Sequence, residues 1–216
     1  MSPPPFSWHE FDLSPYLPIS WRSSIDKVVA DHAQFETLGR TPILTREESE
    51  VRLLRGSVRP WVARPLLPWL YEMYETLFLD LVSQAMGLRV LTASDDRYGL
   101  TLKVQTSEAM RFECHVDSNP VQGLLFCSDH PKGSGGELVV SNSEDAHSKE
   151  EVDANCARIY PALGHFMVFD GRKNAHYVNQ VTADTSPRIV AAMNFYTLEC
   201  PEETRDEAIN EHLFQS

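Results

Sequence analysis

The chain has 216 residues, 42% hydrophobic and 23% charged, which suits one globular domain and excludes wholesale disorder. Its 19 Lys and Arg oppose 31 Asp and Glu, a formal charge of −12 that repels a phosphate backbone and argues against nucleic acid as a partner. Four cysteines, Cys114, Cys127, Cys156 and Cys200, form no CxxC pair, so neither a zinc ribbon nor a disulfide framework is expected, and reduced thiols in a cytoplasm fit best.

The N-terminal stretch MSPPPFSWHEFDL has no basic n-region and no apolar h-region, and no apolar run is long enough to span a bilayer. A soluble cytoplasmic chain with no membrane partner is therefore expected. Ile25, Val28 and Val29 mark a short helix, and the charged run from Glu47 to Leu54 marks a second. Leu66, Leu70, Met73, Leu77 and Leu81 form the stripe of a third over 64–86, with Pro65 and Pro68 in its first turn and Gly87 at its C-terminal stop.

From Tyr98 the period changes to two, with Leu100, Leu102 and Val104 alternating with Thr101, Lys103 and Gln105. Further strands are expected at 111–117, 121–128, 136–141, 157–160, 165–169, 176–182 and 188–198, separated by Pro120, the KGSGG loop at 132–136, Pro161, Gly164 and Pro187. The acidic run 143–153 reads as a solvated loop, and a polar helix at 202–214 closes the chain. This pattern predicts an α+β protein with a mainly β core of the sandwich or barrel kind. One domain is expected: a helical N-terminal support region over 1–97, the β core over 98–199 and a C-terminal helix over 200–216.

His115 and Asp117 stand two apart in RFECHVDSNP, so on a strand they point to one face and can share a cation, given a third ligand. His176 follows the turn at Asp170-Gly171 and can return across a hairpin to the same place. His165 competes for that place, but its alternation with Phe166 and Val168 argues for a core or packing role. Two imidazoles and one carboxylate on one side of a metal leave the other side open, which suits non-heme Fe(II). Arg188, opening the run RIVAAMNFYT, lies on a strand beside that site, where its guanidinium fork can hold one end of a dicarboxylic cosubstrate.

Arg111 and Glu113 share the parity of His115 and Asp117, so they meet a zwitterionic substrate, pair with each other or lie at a solvated strand end. Asn194 and Tyr196 share the parity of Arg188 and are candidates for the same pocket. Gly135 and Gly136 mark a turn. His9, His32, His147 and His212 read as surface residues.

The set HVD, GGEL at 135–138, FDGRKNAH and PRI resembles the Fe(II)/2-oxoglutarate-dependent dioxygenase superfamily over roughly residues 98 to 199. The resemblance implies a double-stranded β-helix (jelly-roll) barrel, Fe(II) held by His115, Asp117 and His176, 2-oxoglutarate held at Arg188, and O2 as the second cosubstrate. Within that superfamily, HVDSNPVQGLLFCSDHP followed by GSGGELVV is similar to the small bacterial enzymes that modify free amino acids, the group containing the radical lysine halogenases and their hydroxylating relatives. The implied reaction is hydroxylation of an unactivated C–H bond of a small substrate, a free polar or cationic amino acid, with Arg111, Glu113 and Asn194 as its binding residues. The halogenating members have glycine where this chain has Asp117, so hydroxylation, or another oxidation, is implied in preference to halogenation. Two other readings stay open: a non-enzymatic small-molecule binder on a cupin-like barrel, and a halogenase-type relative.

Overall fold

The computed structural model describes residues 6–37, 54–182 and 185–204. Strand β1 (His9–Asp12) leads into α1 (Trp21–His32), whose Ile25, Val28 and Val29 are buried on one face as their spacing requires. The expected helix from Glu47 lies outside the described residues as far as 53, and Leu54 instead opens β3 (Leu54–Val58), antiparallel to β2 (Gln34–Thr37).

The single helix expected over 64–86 is two. Helix α2 (Pro60–Leu66) ends at Leu67, and a second helical run begins at Pro68, passing through α3 (Pro68–Met73), a π turn (Tyr74–Phe78) and α4 (Leu79–Met86). Leu67 has φ −127° and ψ 54° because the ring of Pro68 disfavours helical backbone in the residue before it. Pro68 opens its helix as expected, whereas Pro65 sits inside α2. Gly87, at φ 65°, ends α4 in the left-handed conformation that a side chain resists.

The strands after residue 90 are β4 (Leu91–Thr92), β5 (Leu100–Gln105), β6 (Phe112–His115), β7 (Val121–Phe126), β8 (Leu138–Ser141), β9 (Cys156–Ile159), β10 (His165–Phe169), β11 (His176–Val178) and β12 (Arg188–Tyr196). They build two antiparallel sheets. The larger runs β1-β10-β7-β12-β5-β3-β2, with β4 also on β12, and the smaller runs β6-β11-β8-β9. The expected acidic loop contains a helix, α5 (Lys149–Ala154): Ser148 caps the Glu151 N–H at 3.2 Å, and the Glu151 carboxylate accepts from the His147 N–H at 2.7 Å. The expected C-terminal helix begins as a 3-10 turn (Glu202–Thr204), and the rest of it lies outside the described residues.

Apolar side chains sort into layers. Ile25, Leu70 and Phe78 pack on the outer face of the larger sheet against Leu102, Phe166 and Ala191. Between the sheets lie Leu124, Phe126, Leu138, Phe169 and Val190. Cys114, Val139 and Tyr177 cover the outer face of the smaller sheet with Val152 of α5. The architecture is a mainly β jelly roll with helices behind one sheet. No helix among the described residues is long and apolar enough to cross a membrane.

Candidate metal and cosubstrate site

Inside the jelly roll, His115 closes β6 and His176 opens β11, and the two are direct partners in the ladder between these strands. Their rings lie 4.5 Å apart between centroids. Asp117 follows two residues after His115, and its backbone N–H donates to the Gly171 carbonyl at 2.9 Å. One carboxylate oxygen faces each imidazole, His115 Nε2 to Asp117 Oδ1 at 3.4 Å and His176 Nε2 to Asp117 Oδ2 at 3.5 Å. One ligand atom from each of the three residues lies within 4.8 Å of the other two.

The tautomers follow from the partners. His115 Nδ1 is 2.8 Å from the Glu113 carbonyl and His176 Nδ1 is 3.0 Å from the Asn174 carbonyl. A carbonyl only accepts, so each Nδ1 carries the proton and each Nε2 turns a lone pair toward the carboxylate. Two lone pairs facing one carboxylate repel unless a cation stands between them, so the donor set fits a divalent metal, with Phe169 packed edge-on against His176 at 5.5 Å. Gly171 makes the room: a Cβ there would collide with Asp117 Oδ2.

Arg188 opens β12 on the inward face and is 1% exposed. Its Nε donates to the Gly136 carbonyl at 2.6 Å, while its Nη2 is buried with no hydrogen-bond partner. Gly136 has φ 74°, and a Cβ on it would come within 2.9 Å of Arg188 Cδ. Burial pulls the guanidinium down to about 10, so it keeps its charge at neutral pH. A buried cation with an unused donor fits an incoming carboxylate, as 2-oxoglutarate would supply.

One cavity between the sheets takes in the triad and Arg188, together with Glu113 and Asn194. Asn194 is held by Nδ2 to the Tyr98 carbonyl at 2.9 Å, and Tyr196 spends its hydroxyl on the same carbonyl at 3.1 Å. Arg111 is turned elsewhere. Between His176/His115 and Val178/Phe112 the ladder of β6 and β11 takes an irregular step, three residues on one strand against two on the other. The extra residue reverses the face, so Phe112 joins the cavity wall and Arg111 lies 5.9 Å over the ring of Tyr177 on the outer side. His165 is not a core residue either: it is half-exposed, with Nδ1 2.8 Å from Glu10 on β1.

Sequence reasoning passed over Arg55, Lys103 and His130. Arg55 and Lys103 line the cavity from β3 and β5. His130 is fully buried with neither ring nitrogen hydrogen-bonded, and burial, followed by the charge of Arg188, lowers its pKa. The polar face of β5 held the signal for Lys103, but it reads as a solvent face until the second sheet is in place.

No protein-family model and no curated protein matches the sequence. Solved structures do match. AviO1 from Streptomyces viridochromogenes Tue57 superposes with a TM-score of 0.64 at 13% identity, over 91% of this chain and 92% of that one. An oxidoreductase of the 2OG-Fe(II) oxygenase family from Burkholderia pseudomallei gives 0.61 at 12% identity, over 88% and 84%. A prolyl hydroxylase from Trichoplax adhaerens, in complex with a peptide fragment of hypoxia inducible factor, gives 0.61 at 11%, over 92% and 87%. The fold is that of the Fe(II)/2-oxoglutarate oxygenases. The cavity of this chain occupies the space between its two sheets, and its triad stands on the smaller one.

Proposed function

We propose that this chain is an Fe(II)- and 2-oxoglutarate-dependent dioxygenase that hydroxylates an unactivated C–H bond of a small substrate, a free polar or cationic amino acid. The observation that carries the reading is the convergence of two Nε2 lone pairs and one carboxylate in the cavity that also holds the buried, half-satisfied Arg188. His115, Asp117 and His176 would hold the iron, and Arg188 the distal carboxylate of 2-oxoglutarate. Once bound, iron with 2-oxoglutarate and O2 supplies the oxidising power for the C–H bond.

The chain's own residues bind, orient and exclude water. The Gly136 carbonyl takes Arg188 Nε and leaves the outer guanidinium nitrogens for the cosubstrate. Leu124, Leu138, Val190 and Phe169 form apolar walls that keep the site dry. Glu113 and Asn194 line the same space and are the candidates to meet substrate polar groups, whereas Arg111 lies over Tyr177 on the outer side. As a ligand, the Asp117 carboxylate would take the place that a halide needs, which favours hydroxylation over halogenation. Reduced buried thiols at Cys114 and Cys127 suit a cytoplasmic enzyme.

The test is succinate release on adding Fe(II), ascorbate, 2-oxoglutarate and O2. Succinate is expected from the native chain and none from His176→Ala, and Arg188→Ala should raise the 2-oxoglutarate requirement by about tenfold or more, the loss of one charge-assisted contact. A His176→Ala variant with full iron-dependent activity would falsify the ligand assignment, and absence of succinate from the native chain would leave the binder reading.

A further inference from the structure

Two side-chain amides of the larger sheet border the cavity with their oxygens unused. Gln122 on β7 and Asn194 on β12 are direct partners in the antiparallel ladder, and both line the cavity. Gln122 Nε2 donates to the carbonyls of Gly123 at 3.2 Å and Met193 at 3.1 Å, and Asn194 Nδ2 donates to the Tyr98 carbonyl at 2.9 Å. Backbone carbonyls only accept, so these contacts fix which end of each amide carries hydrogen. Gln122 Oε1 and Asn194 Oδ1 are left over, with no hydrogen bond among the described residues and not sealed inside the protein.

Residues opposed in this way carry their side chains on one face with Cβ atoms about 4.5–5.5 Å apart, so the two oxygens form an acceptor pair. The pair stands clear of the proposed cosubstrate clamp. Arg188 and Asn194 are six residues apart on β12, about 20 Å along the strand, farther than the five-carbon chain of 2-oxoglutarate extends. Val190 and Ala192 lie between them on the same face, an apolar wall along the cavity. Arg97 stands two residues before Gly99, whose carbonyl accepts from the Asn194 N–H at 3.0 Å, but Asp95 accepts from Arg97 Nε at 2.9 Å and answers its charge.

We infer that Gln122 and Asn194 form the seat for the α-ammonium group of a free amino acid, so that the substrate is recognised as an amine. The pair offers two acceptors and no donor, so the group it holds must bring at least two hydrogens. A carboxylate brings none and is repelled, and a hydroxyl brings one together with lone pairs of its own. An ammonium brings three hydrogens and no lone pair. A substrate seated here would lay its carbon chain along Val190 and Ala192. The inference rests on the oxygenase reading and names the group by which that substrate is held.

The test is calorimetric titration of the intact chain loaded with Mn(II) and 2-oxoglutarate, which does not turn over. The probes are the proteinogenic L-amino acids and, for those that bind, the analogues in which a hydroxyl replaces the α-ammonium. At least one amino acid should bind, with its hydroxy analogue weaker by about tenfold or more, as loss of a desolvated charge-assisted contact requires. Gln122→Met and Asn194→Leu should each weaken the amino acid by about tenfold and bring it close to its hydroxy analogue, while 2-oxoglutarate affinity in Asn194→Leu stays within about twofold. Asn194→Leu carries the test if Gln122→Met does not fold, because Asn194 is half-buried and the Tyr98 carbonyl keeps the Tyr196 hydroxyl as a partner. Equal binding of amino acid and hydroxy analogue by the native chain, an unchanged ratio between them in Asn194→Leu, a parallel loss of 2-oxoglutarate in that variant, or binding of 2-oxoglutarate but of no amino acid would each overturn the seat alone. Failure of the native chain to bind 2-oxoglutarate with Mn(II) would overturn the oxygenase reading and the seat with it.

Discussion

Arg188 and Asp117 each depend on a glycine. At Gly136 the missing side chain lets the carbonyl meet Arg188 Nε, and at Gly171 it makes room for the Asp117 carboxylate. Gly171→Ala should fold, yet displace Asp117 and weaken divalent metal binding by about 10- to 100-fold, the usual cost of disturbing a group that orients a ligand. Calorimetry with Mn(II) measures this, and an unchanged affinity would show that the carboxylate has room to spare. His130 illustrates the other use of burial. Desolvation first, then the neighbouring Arg188 charge, lower its pKa, so the folded chain holds it neutral. An unfolded histidine takes up a proton below about 6.5, and the folded one does not until a lower pH. Its contribution is therefore complete above about 6.5 and is lost as pH falls through the folded value. Urea unfolding between about pH 7.5 and 5 should show a steeper loss of stability in the native chain than in His130→Gln; parallel slopes would remove this residue from the pH dependence.

At the scale of elements, close packing decides which face a strand presents and how near its neighbours come. Gly123 on β7 lies under two aromatic rings, and a Cβ there would stand 2.8 Å from Phe166 and 3.0 Å from Phe195. Gly123→Ala should cost about 1–3 kcal/mol, because Phe166 is fully buried and has no empty space to move into. A lower urea midpoint with unchanged slope is the expected result, and an equal or higher midpoint would mean that these rings shift freely. The irregular step in β6 works in the opposite direction, changing orientation without adding bulk. It sends Arg111 to the outer face while His115 stays inside. The helical layer is tied to the site as well: the Tyr74 hydroxyl donates to the Asn194 carbonyl at 2.6 Å and accepts from the Ala93 N–H at 3.0 Å, fixing the end of β12 against the helix behind it.

For the whole molecule, the consequence of two sheets sharing one cavity is that metal occupancy and folding are coupled. His115 and Asp117 come from one stretch of chain and His176 from another, and the two meet only when the smaller sheet is formed. A divalent metal that binds this set and not the unfolded chain should add about 2.7 kcal/mol at a free concentration 100 times its Kd. Thermal unfolding with Mn(II) should shift upward and return with EDTA, and Asp117→Gly should largely lose the shift. A shift of equal size in that variant would place the metal elsewhere. On the proposed function the same carboxylate would govern the product. With Asp117 present, hydroxylated and not chlorinated product is expected even in high chloride, and a chlorine isotope pattern in the product mass spectrum would reverse that conclusion.

The amino-acid sequence by itself determined the local features. Period-two runs with turn residues between them place most strands after residue 98 to within a few residues, and Gly87 and Pro68 mark helix ends because backbone sterics act on immediate neighbours. HxD on one strand and a later histidine were enough to nominate the triad, since ligand chemistry depends on residue type and order. Tertiary structure decided what lies across a gap. Strands β1, β2 and β3 are short and acquire their place from the larger sheet, so their sequences carry little periodicity. The polar face of β5 is turned inward only because the smaller sheet closes over it, which makes Lys103 and Arg55 cavity residues. Arg111 shows the same limit from the other side: parity along a strand holds only while the ladder is regular, and the extra residue beside His115 depends on the partner strand, which local periodicity cannot report.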